Sequence, residues 1–348
     1  MKKHIRLLSV LSVSLVLSAP LLSRAAGGDE DVKKQKLINR SYPVTADDKL
    51  QIDNQFGNVV VSTWDEQKIT VDIEISATAA TDEKAQDILD RIDVKEDKGD
   101  HLISFKTSVG EIHNNGHRHG SDGDNRSFYI DYVIHMPAVN RLAIENNFGK
   151  TEVPAFKGLV TLTSKYGSLN TGKLDNVDII DVEFGKAAIT EISNGKVIFK
   201  YDGESRIGKV GGNVKITSEF SSQLQLNIGD NIEELTVLES YSGVRMIVDK
   251  SLSARIDVHT SFGNFHNESE ISISEHKEDQ DDYGPHFDKD YSGTAGDGKG
   301  KIRIKSSFGS VRISNTNGRD SDDDGDDDKD KEKDKHKSKT TTVSVSES

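Results

Sequence analysis

The feature that most restricts this chain is a recurring unit: an aromatic residue followed by Gly or another small residue, set between alternating apolar positions. It occurs at Phe56-Gly57, Phe148-Gly149, Tyr166-Gly167, Phe184-Gly185, Tyr201-Asp202-Gly203, Phe220-Ser221, Tyr241-Ser242-Gly243, Phe262-Gly263 and Phe308-Gly309. From Phe148 to Phe262 the units lie 18, 18, 17, 19, 21 and 21 residues apart. Apolar residues stand six and four positions before the aromatic, as in Leu50/Ile52, Leu142/Ile144, Val214/Ile216 and Ile302/Ile304. Others stand three and five after it, as in Val59/Val61, Ala187/Ile189, Val244/Met246 and Val311/Ile313. The Tyr201 and Phe220 units slip by one, to Ser205/Ile207 and Leu224/Leu226. Period-two alternation means strands with one buried face, and a fixed period of this length means units that stack on their neighbours.

A strand pair with two turns uses about 18–21 residues, one rung of a solenoid. The predicted fold is therefore all-β, a parallel β-helix (solenoid) of such rungs. Rungs stack about 4.8 Å apart, so equivalent positions form columns. The spacing predicts one structural aromatic column of Phe56, Phe148, Tyr166, Phe184, Tyr201, Phe220, Tyr241, Phe262 and Phe308, placed in the dry interior. The alternative is an outer row of sugar-stacking platforms. The Gly after each aromatic is expected to supply a positive φ for the turn.

Composition agrees with a thin core. Apolar residues are 33% and aromatics 6% of the 348, with 29 Gly and only 5 Pro. The formal charge of −14 disfavours nucleic acid as a partner, since phosphate binders present basic surface. Absence of Cys removes disulfides, thiolate metal sites and thiol nucleophiles.

Residues 1–25 read as a signal peptide. Lys2, Lys3 and Arg6 precede an apolar stretch from Leu7 to Leu22, and Ser23 and Ala25 flank a cut before Ala26. A membrane anchor is the competing reading, but the run is short and broken by Pro20. With the leader removed, no membrane span is expected. Residues 38–139 read as a first rung plus an N-terminal capping β/α region with strands at Lys68 to Ser76 and Phe128 to His135. Its one helix is N-capped by Thr81, carries Asp82 and Glu83 in its first turn, and shows an apolar stripe of Ala85, Ile88, Leu89 and Ile92. Residues 140–316 read as solenoid rungs, with a polar loop ejected at 268–300. Residues 317–348 are a charged tail, almost all Asp from Asp320 to Asp328, expected to be disordered.

Few constellations carry chemistry. Asp320-x-Asp322-x-Asp324-Gly325 resembles the start of a calcium loop, but Lys331 stands where a bidentate Glu is needed. His113, His117 and His119 in EIHNNGHRHG are weak metal candidates by spacing, and Asp281, Asp282 and His286 form a second polar cluster. No cofactor is expected, and no catalytic residues are assigned. GxSxG, HExxH, GxxxxGK[ST] and strand-borne GxGxxG motifs do not occur. The residues before the aromatics, including Lys165, Glu183, Lys200 and Glu219, form a mixed solvated face rather than a carboxylate cluster.

The opening LQIDNQFGNVVVSTWDEQKITVDIEISATA, the helix TDEKAQDILDRI and the later LAIENNFGKTEV and IRIKSSFGSVRI resemble the bacterial putative-adhesin domain family, a domain of unknown function, over about residues 38 to 316. The resemblance implies a right-handed β-solenoid on an exported envelope protein of Bacteroidetes type, and brings no catalytic residues. The functional expectation is a non-enzymatic, adhesin-like binding or scaffolding protein of the periplasm or cell surface. Its partner would be a glycan or a protein of the envelope or of a neighbouring cell. The alternatives are a polysaccharide-active solenoid enzyme and a metal-responsive periplasmic sensor.

Overall fold

In a computed structural model, residues 31–111, 126–276 and 287–315 are described. The signal segment, the candidates His113, His117, His119, Asp281, Asp282 and His286, and the Asp-rich tail lie outside the described residues. The fold is all-β with one helix. In chain order the elements are β1 (Val32–Pro43), β2 (Lys49–Gln55), β3 (Val59–Trp64), β4 (Lys68–Ala79), α1 (Asp82–Asp90), β5 (Ile92–Gly99), β6 (Leu102–Val109) and β7 (Ser127–Pro137). There follow β8 (Arg141–Asn147), β9 (Lys150–Val153), β10 (Phe156–Lys165), β11 (Ser168–Glu183), β12 (Lys186–Lys200), β13 (Glu204–Glu219) and β14 (Gln223–Ser240). The last are β15 (Gly243–Val248), β16 (Ala254–Ser261), β17 (Asn264–Glu268), β18 (Ile273–His276), β19 (Asp288–Ala295), β20 (Gly300–Ser307) and β21 (Ser310–Ser314).

All strands belong to one mixed sheet. Its centre is parallel and in register. Ser168 lies beside Lys186, Ile180 beside Val197, and Val214 beside Leu235. Each of the long strands β11 to β14 contributes twice. In β11, residues 168–174 pair with one part of β12 and 179–183 with another, with a register shift between. That shift is a corner, where a bulge bends the strand. Both parts of these strands contribute to the core. Leu169, Leu174, Ile180 and Val182 of β11 point inward and are fully buried, as are Ile189, Ile192, Val197 and Phe199 of β12. The alternation read from the sequence is the alternation of burial along these strands.

Both ends depart from parallel pairing. At the N-terminal end β1 pairs antiparallel with β4 along its full length, β4 pairs antiparallel with β7, and β5 with β6. Helix α1 is N-capped by Thr81, whose hydroxyl accepts from the Lys84 N–H. It buries Ala85, Ile88 and Leu89 and packs on β1 and β4. The outer strands are tied across the end by Tyr42 and Arg40 of β1, which both donate to the Glu96 carboxylate of β5. Burial and Glu96 push the Tyr42 hydroxyl pKa far above its ordinary value.

The C-terminal end is rearranged. β20 lies between β14 and β16, and β21 between β15 and β17. The chain skips one position, forms β16 and β17 beyond it, and then returns to fill the gap. The expected ejected loop of residues 268–300 is corrected in part: it contains β18 and β19, an antiparallel pair in which β19 covers the outer edge of β16. An uncovered strand presents unpaired N–H and C=O groups, and a polar segment such as DKDYSGTA can satisfy them through its backbone alone.

The second correction concerns the turns. The glycine after each aromatic does not carry the positive φ. The aromatic does, from Tyr201 at 50° to Phe148 at 61°. The glycine is needed for space. A Cβ on Gly167 would sit 1.9 Å from the Gly149 carbonyl oxygen of the neighbouring turn. Gly167→Ala is therefore expected to lower stability by at least the ~1–3 kcal/mol of forced overpacking. Gly99→Ala, where nothing lies within 4 Å, should stay within about 0.5 kcal/mol. Urea unfolding of the two variants checks the contrast, and equal midpoints would remove it.

Candidate functional site

The nine aromatics of the recurring unit do share one file, but it runs along the surface and not through the interior. Eight of them, Phe148, Tyr166, Phe184, Tyr201, Phe220, Tyr241, Phe262 and Phe308, are 45–52% exposed, and Phe56 is partly buried. The expectation of a dry aromatic column is thus corrected. The interior is filled instead by the aliphatic residues at flanking positions. The physical reason is the left-handed turn, which breaks the pleat and swings the ring outward.

The rings nevertheless touch one another. Successive centroids are 4.8–5.3 Å apart, with planes within 8° of parallel, in the order Phe56, Phe148, Tyr166, Phe184, Tyr201, Phe220, Tyr241, Phe308, Phe262. Phe287 continues the stack at 4.5 Å from Phe262, and Phe128 meets Phe56 edge-on at the other end. Phe308 precedes Phe262 because of the strand skip. Ring faces are therefore occupied by neighbouring rings, and solvent meets a ridge of ring edges.

The ridge survives on a balance. A left-handed conformation costs an L-residue about 1–2 kcal/mol. Each interior ring makes two stacked contacts, worth about 0.5–1.5 kcal/mol apiece beyond area burial. The two are of the same size, so strain and stacking roughly cancel. Backbone bonds then set the position: the Tyr166 N–H donates to the Glu183 carbonyl at 3.0 Å, and the Phe148 N–H to the Lys165 carbonyl at 2.9 Å. Beside the ridge, Lys165 and Glu183 pair at 3.2 Å, an exposed contact of small energetic weight.

Beneath the ridge lies a polar file that sequence reading missed. Residues two before the aromatic include Asn54, Asn146, Ser164, Ser218, Glu239, Thr260 and Ser306, all buried. Their signal was present as polar residues at an inward parity. The Tyr132 hydroxyl, pushed up to about 12 by burial, donates to Thr107, which donates to Asn54. The Asn54 amide donates to the Ile130 carbonyl and Asn146, and the Asn146 amide to the Gly57 carbonyl. These side chains satisfy corner carbonyls that strand pairing leaves open. Where Gly is replaced, the Asp202 N–H donates to Ser221 Oγ at 3.2 Å and the Ser221 N–H to Ser242 Oγ at 3.0 Å. The Ser242 N–H donates to Glu239 at 2.6 Å, and Ser306 donates to the same carboxylate. Burial raises the pKa of Glu239. Among the described residues no group of three or more His, Asp or Glu could hold a metal ion.

Asp202 is the titratable point of this file. Burial raises its pKa to about 6, opposed by donation from Ser205 and from the N–H groups of Gly203 and Gly185. A carboxyl with a raised folded-state pKa binds its proton more tightly in the folded chain. Its contribution to stability is full below about pH 4 and is lost as pH rises through about 6. Asp202→Asn should therefore gain on the wild type by roughly 1–3 kcal/mol between pH 4 and pH 8. Urea unfolding at both pH values measures the difference, and a pH-independent gap would refute the assignment. For the ridge, Phe184→Asn should cost less stability than Phe184→Val. Both lose the ring, but Asn tolerates the left-handed region and a β-branched residue does not. Thermal unfolding of the two variants checks the order.

No family model matches the sequence. No curated protein matches it either. Similar solved structures include a putative cell adhesion protein from Clostridium sporogenes, at 12% identity and TM-score 0.20, covering 82% of this chain and 99% of that one. A putative adhesin from Bacteroides fragilis matches at 11% identity and TM-score 0.29, covering 80% and 97%. A putative lipid binding protein from Parabacteroides distasonis matches at 9% identity and TM-score 0.30, covering 80% and 96%. At this distance no role passes from those proteins to this chain. The adhesin descriptions name the kind of family that the sequence segments resemble.

Proposed function

We propose that this chain is an exported, non-enzymatic envelope protein that binds an extended polymer, a glycan or a protein strand, along its aromatic ridge. The carrying observation is the aromatic stack from Phe56 to Phe287, a continuous line of rings of which all but Phe56 are about half exposed. The parallel strands are read as rungs of a right-handed β-solenoid of about 18–21 residues each. Residues 1–25 are read as a leader and 317–348 as a separate charged segment. Stacked ring edges offer many equivalent shallow contacts, each weak, which add only when a partner lies along several rungs. Such a surface suits adhesion or scaffolding, whereas hydrolysis needs a few groups converging on one bond. Among the described residues, no helix is long and apolar enough to cross a membrane.

The test is co-sedimentation of the full chain with purified envelope polysaccharide, with envelope protein and with intact cells. The wild type is compared with a Phe184→Asn, Tyr201→Asn, Phe220→Asn variant. A loss of tenfold or more in the variant, with its fold retained by circular dichroism, is the expected outcome. Undiminished binding would overturn the ridge as the site. Release of reducing sugar from the polysaccharide would overturn the non-enzymatic reading.

A further inference from the structure

The aromatic ridge does not keep the same surroundings along its length. The residues just before the rings form one row, paired strand to strand in the order Lys165, Glu183, Lys200, Glu219, Ser240, Ser307 and Ser261. Charge alternates as far as Glu219 and then stops. The other flank changes in the same region. Lys186 and Glu204 stand beside the middle rings, whereas Gly243, Ser310 and Asn264 are successive partners beside the last ones. Along this uncharged section Tyr241, Phe308 and Phe262 line a shallow trough of about 560 Å³, bordered by Ser222, Ser310 and Asn264. The trough is open because Gly243 has no side chain. A Cβ there would lie 3.4 Å from the Ser222 carbonyl oxygen and 3.6 Å from Ser310 Oγ, both ordinary contacts. Ser222, Ser310 and Asn264 are exposed, and among the described residues their side chains make no hydrogen bond.

We infer that, resting on the reading of the ridge as a polymer site, the occupant is an uncharged glycan seated in this trough, with successive sugars against Tyr241, Phe308 and Phe262. These rings lie 4.8 and 4.9 Å apart, and an extended pyranose chain advances by nearly the same length per sugar. The edge of an aromatic ring carries the positive end of its quadrupole. Exposed edges therefore favour the oxygen-rich rim of a sugar over an aliphatic side chain. The hydroxyls of Ser222 and Ser310 and the amide of Asn264 can each donate and accept, as sugar hydroxyls do. A carboxylate, sulfate or ammonium group would lose water here without gaining an opposite charge. The cations further along these strands are committed elsewhere: Arg245 is buried, and Arg312 pairs with Glu268 at 3.4 Å. An added peptide strand needs a row of open backbone groups. β15 and β21 beneath the trough are paired on both sides.

The experiment is isothermal titration of the full chain with linear hexasaccharides of glucose, mannose and N-acetylglucosamine, with hexagalacturonate, and with a short Thr-Gln repeat peptide. Gly243→Gln fills the trough and removes no ring. At least one neutral hexasaccharide is expected to bind saturably, about tenfold or more tighter than the acidic sugar and the peptide. Gly243→Gln should weaken that binding about tenfold or more, with its thermal midpoint close to that of the wild type. Should Gly243→Gln fail to fold, the exposed double variant Ser310→Ala, Asn264→Ala takes its place with the same expected loss. No saturable heat with any neutral hexasaccharide, equal or tighter binding of hexagalacturonate or the peptide, or unchanged affinity in the folded variant would each overturn the trough. Co-sedimentation separates this result from the ridge reading. Binding lost in the Phe184→Asn, Tyr201→Asn, Phe220→Asn variant but kept in Gly243→Gln overturns the trough and leaves the ridge. The opposite pattern overturns the ridge as the wider site and keeps the trough.

Discussion

Stacking in register is the constraint on which the rest of the structure depends. Neighbouring strands stand about 4.8 Å apart because their amides and carbonyls must meet. That distance is also close to the contact distance of two aromatic rings, so identical turns set one above another bring their rings into contact at 4.8–5.3 Å without further adjustment. The same closeness leaves no room for a side chain after the ring, as the Gly167–Gly149 approach shows. Ring, glycine and strand pairing are three consequences of one spacing. Disturbing any of them disturbs the others.

The corners carry the costs. Nine aromatics adopt a conformation that disfavours them, and polar side chains are buried beneath. Stacking offsets the first cost, and bonds from the Asn54 and Asn146 amides to the Ile130 and Gly57 carbonyls offset part of the second, while the hydroxyls of Ser164, Ser218 and Thr260 stay without a partner. In the region from Tyr201 to Tyr241, Asp202, Ser221 and Ser242 replace the glycine, and a chain of backbone-to-side-chain bonds runs from one of these turns to the next. That region also holds Asp202 and Glu239, two carboxyls whose pKa burial raises. The ends solve a different problem, closing the stack with antiparallel strands. One such strand pair sets Asp290 beside His259.

Much of this could be read from residue order, and some of it was present but misread. The flanking pairs such as Leu50/Ile52 and Val59/Val61 pointed correctly to inward-facing strands, as Thr81 and the Ala85, Ile88, Leu89 stripe did to the helix. The outward rings were also encoded. Apolar residues fall at even offsets before the aromatic and, outside the Tyr201 and Phe220 units, at odd offsets after it, so in all but these two units the alternation breaks at the aromatic itself. Parity cannot be carried through a residue that leaves the extended region. The polar residues Asn54, Asn146 and Glu239 at an inward offset were a second such sign.

By itself, the sequence determined the strand content, the buried aliphatic positions, the recurring turn and the capped helix. These follow from local rules: alternation, turn chemistry and capping act between residues a few positions apart. Tertiary structure alone decided that the rings stack in the open, that Phe308 lies between Tyr241 and Phe262, and that β18 and β19 seal an edge. Those outcomes depend on which strand finds which neighbour. Backbone hydrogen bonding is nearly blind to side-chain identity, so residue order does not announce the choice.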